Sequence, residues 1–408
     1  MAISRILFIG VVLLMAWNTA WAGPHAGCMG NGRMPFPDDD PRWEQVAAMW
    51  DTHWDGENID AMLSLVHSLE ASYPNRIEPC LWLGRLYYLK GRFQKKQRRR
   101  WHQKAEAYAE KAHGMDNTNL CALFILVHAL SSRTDRDAVL DEYGGWLRSV
   151  SSLPGGPDLP DRPASESWRA AMEMFKDRQD PGKLEGAVAL FRSWADEKPD
   201  DAPAQLWAGY ACHYLGAYYS YKGHHQDKAV PWFKISVAYL ERSLALDPHS
   251  VPAHYWCQLS MARQVEQTGL VTKALYLKPI MDHLLFCIQE NALYDSCGPV
   301  YITAAMILEG GWVCRKGMAM AGYSVEMVML CLTVGEILFP DQYFIPYIHA
   351  ALLDEVKKEP DAARQMLEGI LAKGRPSGDD PEQIEMRITY DRARRYLDRL
   401  NTRKGRGE

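Results

Sequence analysis

Pro199-Asp-Asp-Ala-Pro203-Ala204-Gln-Leu-Trp207-Ala-Gly209 is the stretch of this sequence that decides the fold. Two other stretches follow the same order: Pro248-His-Ser-Val-Pro252-Ala253-His-Tyr-Trp256 and, more loosely, Pro74-Asn-Arg-Ile-Glu-Pro79-Cys-Leu-Trp82-Leu-Gly84. In each of them seven residues separate the first proline from the tryptophan. A pattern that returns in this way is typical of helical hairpins that stack and bury a continuous core. Residues 187–216 are therefore predicted to hold the end of one hairpin and the first helix of the next.

Breaks in the helical pattern recur along the chain at intervals of 34 to 49 residues. They fall near Pro74, Asn117, Pro154, Pro199, Pro248, Leu293, Pro340 and Gly374. No segment alternates with the two-residue period of a strand. We therefore predict an all-α fold, a superhelical array of helical hairpins with insertions between helices, over residues 40–400. Residues 23–39 are predicted to form a flexible arm, 151–165 an irregular joint and 401–408 a polar tail.

The composition is that of an ordinary folded protein: 47% of the 408 residues are hydrophobic and 24% are charged. The formal net charge of -5 argues against a nucleic-acid partner, because proteins that neutralise phosphates carry a basic excess or a basic face. Bulk composition indicates no other class of partner.

The first 22 residues have the order of a secretory signal. Arg5 precedes the apolar run 6–17, and small residues lead to a predicted cut after Ala22. This predicts a periplasmic protein with no transmembrane segment in the mature chain. A permanent anchor is the less favoured alternative, because about a dozen apolar residues are too few to span a bilayer of roughly 30 Å. A lipidated Cys28 is less favoured still, since it lies well beyond the apolar run.

The sequence has nine cysteines, and all of them follow the predicted cut. Export permits disulfides, but several of these cysteines fall at core positions of predicted helices, where a free thiol behaves as a small apolar group. We expect one disulfide at most, with Cys297 and Cys314 as the favoured pair.

From residue 77 the sequence resembles the tetratricopeptide repeat. Leu83, Gly84, Tyr87 and Gly91 have the spacing of its first helix, and Ala105, Ala109 and Ala112 that of its second. About nine residues more than the repeat needs lie between these halves. They include the run Lys95-Lys96-Gln97-Arg98-Arg99-Arg100, which predicts a solvated basic tip. Docking to acidic lipid heads or lipopolysaccharide phosphates is the alternative for this run.

The resemblance implies a concave face lined by the first helix of each hairpin. The residues that fall on this face are Leu81, Arg85 and Tyr88, then Leu206, Tyr210, His213 and Tyr214, and finally Tyr255, Leu259 and Arg263. Aromatic side chains with arginines suit the recognition of peptides or organic anions. Packing between repeats is the alternative for all of them, and we expect Trp82, Trp207 and Trp256 to pack.

No motif for nucleotide binding, metal hydrolysis, haem attachment or a serine nucleophile occurs in the sequence, and we predict no cofactor. Two groups of residues are candidate ligand sites. Residues 50–55 (Trp-Asp-Thr-His-Trp-Asp) could bind a metal or a sugar, and His213 with His224 and His225 could bind a metal. We favour a helix end for residues 50–55 and a solvated insertion for the histidines, so we predict no metal site.

The chain also resembles the T component of TRAP transporters. The resemblance rests on Leu244-Ala-Leu-Asp-Pro248, on Gly298-Pro299 and on the acidic-to-basic helix 382–399. It implies a periplasmic helical-repeat protein that works with a solute-binding protein. We therefore expect an exported binding protein, a scaffold or transporter accessory, that recognises a protein partner or a small organic ligand. The alternative is an α/α-toroid enzyme that acts on envelope polysaccharide through paired carboxylates.

Overall fold

The computed structural model describes residues 40–52, 58–116, 166–223, 226–266, 268–320, 324–378 and 381–406, together with 37, 119, 122, 125–126 and 129–130. All regular structure in these ranges is helical, as the sequence predicts. The predicted signal at 1–22, most of the arm at 23–39 and the joint at 151–165 lie outside the described residues.

The described residues form two compact units. Unit one takes Pro157–Cys287 and Asp341–Glu408, and unit two takes Ala16–Gly156 and Ile288–Pro340. Unit two contains α1 (Pro41–Thr52), α2 (Ile59–Ser72), α3 (Ile77–Phe93), α4 (Arg98–Met115), α11 (Tyr294–Glu309), α12 (Gly311–Met320) and α13 (Val325–Leu338). Unit one contains α5 (Glu166–Lys176), α6 (Pro181–Glu197), α7 (Ala202–Gly223), α8 (Gln226–Leu246), α9 (Val251–Val265), α14 (Phe344–Leu352), α15 (Pro360–Ala372) and α16 (Pro381–Arg406). The remaining helix, α10 (Leu270–Asn291), leads from unit one to unit two.

The prolines of the repeated stretch lie where helices end and begin. Pro199 is in the turn after α6, and Pro203 is in the first turn of α7, where a proline is tolerated because the first amides have no acceptor within the helix. The Asp201 carboxylate accepts from the amide of Ala204 at 3.2 Å. At the equivalent place in the next hairpin, Ser250 caps α9. Prolines and capping side chains therefore determine where α7 and α9 begin.

Close approach of two helices defines the centre of unit one. An added Cβ at Gly209 of α7 would lie 2.5 Å from Leu240 Cγ of α8, and one at Gly216 would lie 2.8 Å from Phe233. As the chain advances along α7 its contacts move backwards along α8, so the two helices are antiparallel. Residues 204–218 of α7 are all buried. This helix is the core of unit one.

The α3/α4 hairpin of unit two repeats this geometry. An added Cβ at Gly84 of α3 would lie 3.5 Å from the carbonyl oxygen of Ala105, and one at Gly91 would lie 2.4 Å from the His102 ring. The two glycines are seven residues apart, as Gly209 and Gly216 are, so both pairs lie on one face of their helix. A pair of glycines seven residues apart therefore allows close helix packing in one hairpin of each unit.

The apolar segment that begins at Val325 forms α13, which is largely buried in unit two. No helix in the described ranges is both long and apolar enough to cross a membrane. Cys297 is a free buried thiol, so the disulfide expected with Cys314 is not found.

The last helix, α16, differs from the expectation in length and in packing. It continues through Arg406 rather than ending at Leu400. Two contacts hold this extension: Arg403 lies 3.2 Å from Asp354, and Arg364 donates to Asn401 at 2.9 Å. α16 also packs on α7, which precedes it by more than a hundred residues. This contact brings its first turns to the face of α7 on which the predicted site lies.

We predict that Gly209→Ala destabilises unit one. The new methyl group meets Leu240 in the middle of its side chain, and overpacking of this kind costs about 1–3 kcal/mol, more than the roughly 1 kcal/mol that alanine gains in helix propensity. Gly369→Ala in α15 is the matched control, because an added Cβ there meets nothing within 4 Å and should raise stability. Chemical denaturation measures both, and equal stabilisation by the two changes would refute the close-packing argument.

Candidate functional site

Three of the predicted concave-face residues lie together on α7. Tyr210, His213 and Tyr214 are at helical spacing, and Trp256 of α9 contacts two of them. The Trp256 ring lies 4.7 Å from that of Tyr210 and 5.1 Å from that of His213. Phe175 of α5 closes the other side, 5.4 Å from Tyr214. The first helices of three successive hairpins therefore meet at one aromatic cluster.

A buried hydrogen-bond chain fixes the state of His213. Ser236 donates its hydroxyl hydrogen to the carbonyl oxygen of Gly209 at 2.7 Å, so it must accept from Ser260, 2.8 Å away. Ser260 has then used its own hydrogen and accepts from His213 Nδ1 at 2.8 Å. The imidazole carries its hydrogen on Nδ1, and Nε2 is the acceptor, to which no described residue donates.

Burial keeps this histidine uncharged. Its removal from water, and then the positive charge of Arg263, lower the pKa of His213 to about 3. At neutral pH the site therefore presents a neutral acceptor rather than a cation. Among the described residues no group of three or more histidine, cysteine or acidic side chains is arranged to hold a metal ion, and His224 and His225 lie outside these residues.

Two arginines border the cluster, and each lies over a tyrosine of α7. The guanidinium carbon of Arg178 is 5.1 Å from the centre of the Tyr214 ring, and that of Arg263 is 5.2 Å from the centre of the Tyr221 ring. Arg263 also donates to the Tyr221 hydroxyl. Such stacking orients a guanidinium while its N–H groups remain able to bind an acid.

The first turns of α16 bring two carboxylates to these arginines. Glu382 lies 3.5 Å from Arg178 and Glu385 lies 3.9 Å from Arg263. Both separations exceed hydrogen-bond length, so the pairs are electrostatic contacts. The Nε of Arg178 is buried and donates to no acceptor within the described ranges. Arg263 also donates from Nη1 to the Glu266 carboxylate at 3.4 Å, which is a long hydrogen bond. The protein's own carboxylates therefore hold both guanidinium groups only loosely.

We refer to Tyr210, His213, Tyr214, Arg178 and Arg263, with Glu382 and Glu385, as the α7 site. Its chemistry is that of acid recognition: two oriented guanidinium groups beside aromatic walls and one neutral acceptor. Of the other predicted residues in unit one, Leu206 and Tyr255 are buried, and the Tyr255 ring packs 5.1 Å from that of Trp256.

Leu259 of α9 is half-buried, and the predicted residues of unit two are Leu81, which is buried, Arg85 and Tyr88. Arg85 is buried, lies 3.1 Å from the Glu290 carboxylate and stacks over Trp50 at 5.0 Å. Tyr88 packs its ring 5.3 Å from His102. The guanidinium of Arg85 is thus engaged in an internal ion pair that joins α3 to the end of α10. Trp50 is buried beneath it, and residues 53–55 of the 50–55 group lie outside the described residues.

Several residues in the α7 site or in contact with it are not indicated by the sequence pattern. Ser236 and Ser260 have no local signature, and Arg178 stands in a turn outside the predicted first helix. Glu382 is visible in the sequence as the start of the acidic-to-basic helix 382–399, which says nothing about its tertiary contact. Tyr221 is the exception, since it lies in an insertion rich in tyrosine that predicts the edge of a pocket.

We predict that Arg85→Met lowers the free energy of unfolding by about 3–5 kcal/mol, because it leaves the buried Glu290 carboxylate without its counter-ion. Arg85→Met combined with Glu290→Leu should recover most of this loss, since no buried charge then remains. Denaturant titration of both variants tests the prediction. A double variant no more stable than the single one would show that the two charges are not coupled.

A second prediction concerns pH. The unfolded chain takes up a proton at His213 near pH 6.5, whereas the folded chain does so only near pH 3, so acid favours unfolding between these values. From pH 7 to pH 5 this group alone should remove about 2 kcal/mol of stability. His213→Asn, which keeps a donor toward Ser260, should lose less stability over that interval. Equal pH dependence in both proteins would contradict the assignment, and their curves should run parallel from pH 7 to pH 8.

Comparison with known proteins adds no relative to these observations. No protein-family model matches the chain, and no curated protein matches it either. The description of the α7 site therefore rests on the contacts of its own residues.

Proposed function

We propose that this chain is an exported binding protein of the cell envelope whose α7 site takes a ligand or partner segment that carries a carboxylate. The observation that carries the proposal is the pair of arginines, Arg178 and Arg263, each stacked on a tyrosine of α7 and each facing a carboxylate of α16. The protein already places acids at these positions, so the positions are suited to acids.

Distance supports an exchange of these carboxylates for those of a ligand. A carboxylate that hydrogen-bonds an arginine lies about 2.7–2.9 Å from it, and often engages two N–H groups. Glu382 and Glu385 remain farther away than this. A ligand carboxylate at hydrogen-bond distance from an arginine would contribute more free energy than is lost when the half-exposed internal pair separates.

His213 adds a requirement for a second group on the ligand. Its Nε2 accepts hydrogen bonds and is close enough to Arg263 to feel its charge. A hydroxyl or N–H group next to the ligand's carboxylate would donate to Nε2 while the carboxylate binds Arg263. Hydroxy acids, amino acids and the carboxyl terminus of a peptide have this arrangement, and the aromatic walls favour an apolar remainder.

The wider setting of the proposal follows from the sequence. Residues 1–22 support export to the periplasm. The matching glycine spacing in the α3/α4 and α7/α8 hairpins supports a superhelical array of tetratricopeptide-like hairpins. In that setting the resemblance to the T component of TRAP transporters proposes a transport accessory that works with a solute-binding protein.

The proposal predicts that acids stabilise the protein. Thermal unfolding of the full chain is measured with hydroxy acids, amino acids and short peptides, and with the matching amides as controls. A ligand at a hundredfold excess over its Kd adds about 2.7 kcal/mol and raises Tm, and the amides should have no effect. Arg263→Gln should weaken the binding about 10- to 100-fold, because one charge-assisted hydrogen bond is lost.

Two further variants sharpen this test. The pair Glu382→Gln and Glu385→Gln removes two of the three internal competitors, leaving Glu266 beside Arg263, and should tighten the binding of acids. Lys234→Gln removes an exposed positive charge outside the site and should leave the binding unchanged. The proposal fails if no acid raises Tm and if an envelope extract yields no partner whose retention depends on Arg178 and Arg263.

A further inference from the structure

The connection between α3 and α4 in unit two concentrates positive charge. Between positions 90 and 104 the chain has no aspartate or glutamate and eight basic residues: Lys90, Arg92, Lys95, Lys96, Arg98, Arg99, Arg100 and Lys104. The whole protein has a formal net charge of -5, so this segment opposes the overall balance. We call Phe93, Lys96, Arg98, Arg99 and Arg100 the basic tip.

The basic tip has a defined conformation. Residues 95–97 form a single 3₁₀ turn, and the amide of Gln97 donates to the carbonyl oxygen of Gln94 at 2.9 Å. The indole Nε1 of Trp101 donates to the side-chain oxygen of Gln94 at 3.0 Å and ties the turn to α4. The tip therefore presents its side chains from a braced hairpin end.

An aromatic stack supports the positive charges. The Trp101 ring stacks on that of Tyr87 at 5.9 Å, and Tyr87 stacks on Tyr108 at 5.7 Å. Arg100 lies 5.0 Å from the centre of the Trp101 ring and Lys104 lies 4.8 Å from that of Tyr87. Cations held on aromatic faces keep their N–H groups free for an anion.

Three charges of the basic tip have no counter-ion among the residues that the structure describes. Lys96, Arg98 and Arg99 are exposed and form no ion pair with any described residue. Lys90 and Lys111 of the same hairpin, in contrast, pair with Asp60 and Glu70. Ion pairs thus neutralise Lys90 and Lys111, whereas Lys96, Arg98 and Arg99 leave the end of the hairpin positive.

The same end exposes a large apolar side chain. Phe93, the last residue of α3, is 45% exposed and precedes Lys96 by three positions. An exposed phenylalanine has no use in binding a soluble phosphate or a nucleic-acid backbone. At a lipid surface it enters the boundary between headgroups and acyl chains while the cations contact the headgroups.

We propose that the basic tip docks the protein on an anionic lipid membrane surface. Lys96, Arg98 and Arg99 contact the anionic headgroups, Arg100 and Lys104 are held in place by the aromatic stack, and Phe93 enters the interfacial layer. The contact is peripheral and depends on ionic strength, because exposed charges are screened over about 10 Å at 0.1 M salt and about 3 Å at 1 M. It involves none of the residues of the α7 site.

The test is co-sedimentation of the full chain with vesicles. Vesicles of phosphatidylcholine mixed with phosphatidylglycerol should bind the protein, and vesicles of phosphatidylcholine alone should not. The triple change Lys96→Gln, Arg98→Gln and Arg99→Gln should weaken binding on the order of 100-fold, since each basic residue near an anionic surface contributes about fivefold. Phe93→Ser should weaken it about tenfold, because its ring no longer leaves water.

A matched triple variant separates local from net charge. Arg169→Gln, Lys234→Gln and Arg392→Gln remove the same number of positive charges from scattered exposed positions, and this protein should bind as the wild type does. Equal losses in both triple variants would overturn the proposal, as would binding that survives 1 M salt or no binding to either vesicle. Retention of binding in Phe93→Ser, together with competition by inorganic phosphate, would show a phosphate site in place of membrane docking.

Discussion

The close approach of α8 to α7 is the constraint on which unit one depends. Without a Cβ at Gly209 and Gly216, the two helices lie near enough for Ser236 to reach the backbone of Gly209. α7 can then be buried along fifteen consecutive residues, 204–218, and α6, α9 and α16 pack on its remaining faces. The aromatic side chains of the α7 site are therefore attached to a helix inside the core, the least mobile kind of element, whereas Arg178 lies in the turn after α5 and Arg263 on α9.

Arginine serves two different purposes in this chain, and its surroundings decide which. Arg85 is enclosed with Glu290, so its charge is satisfied inside the fold and the pair acts on the stability of unit two. Arg178 and Arg263 remain partly in water, and their carboxylates, those of Glu382, Glu385 and Glu266, lie 3.4–3.9 Å away. Desolvation makes the first pair hard to exchange for a ligand, whereas solvent screening makes the other two weak and exchangeable.

Local features of the structure could be predicted from the sequence, and tertiary ones could not. The turns at Pro199 and Pro248 are set by neighbouring residues, and the aromatic residues of α7 share a face because of helical spacing alone. Arg85 matched the same pattern, but its partner Glu290 lies 205 positions away and no period reveals it. The approach of Glu382 and Glu385 to Arg178 and Arg263 likewise depends on the packing of α16 on α7, which no local pattern indicates. The serines that fix His213 also lie in no distinctive pattern.

The buried thiols constrain when this chain must fold. Cys80, Cys212, Cys257, Cys287, Cys297 and Cys331 are free and enclosed, and burial raises the pKa of Cys212, Cys257 and Cys331 to about 12. In the native state they are thus chemically silent, because the thiolate is the reactive form. The unfolded chain exposes every one of them at an ordinary pKa. If the chain is exported to an oxidising compartment, as proposed, it must fold faster than its exposed thiols cross-link. The rate of folding, and not only the stability of the native state, would then limit covalent misassembly.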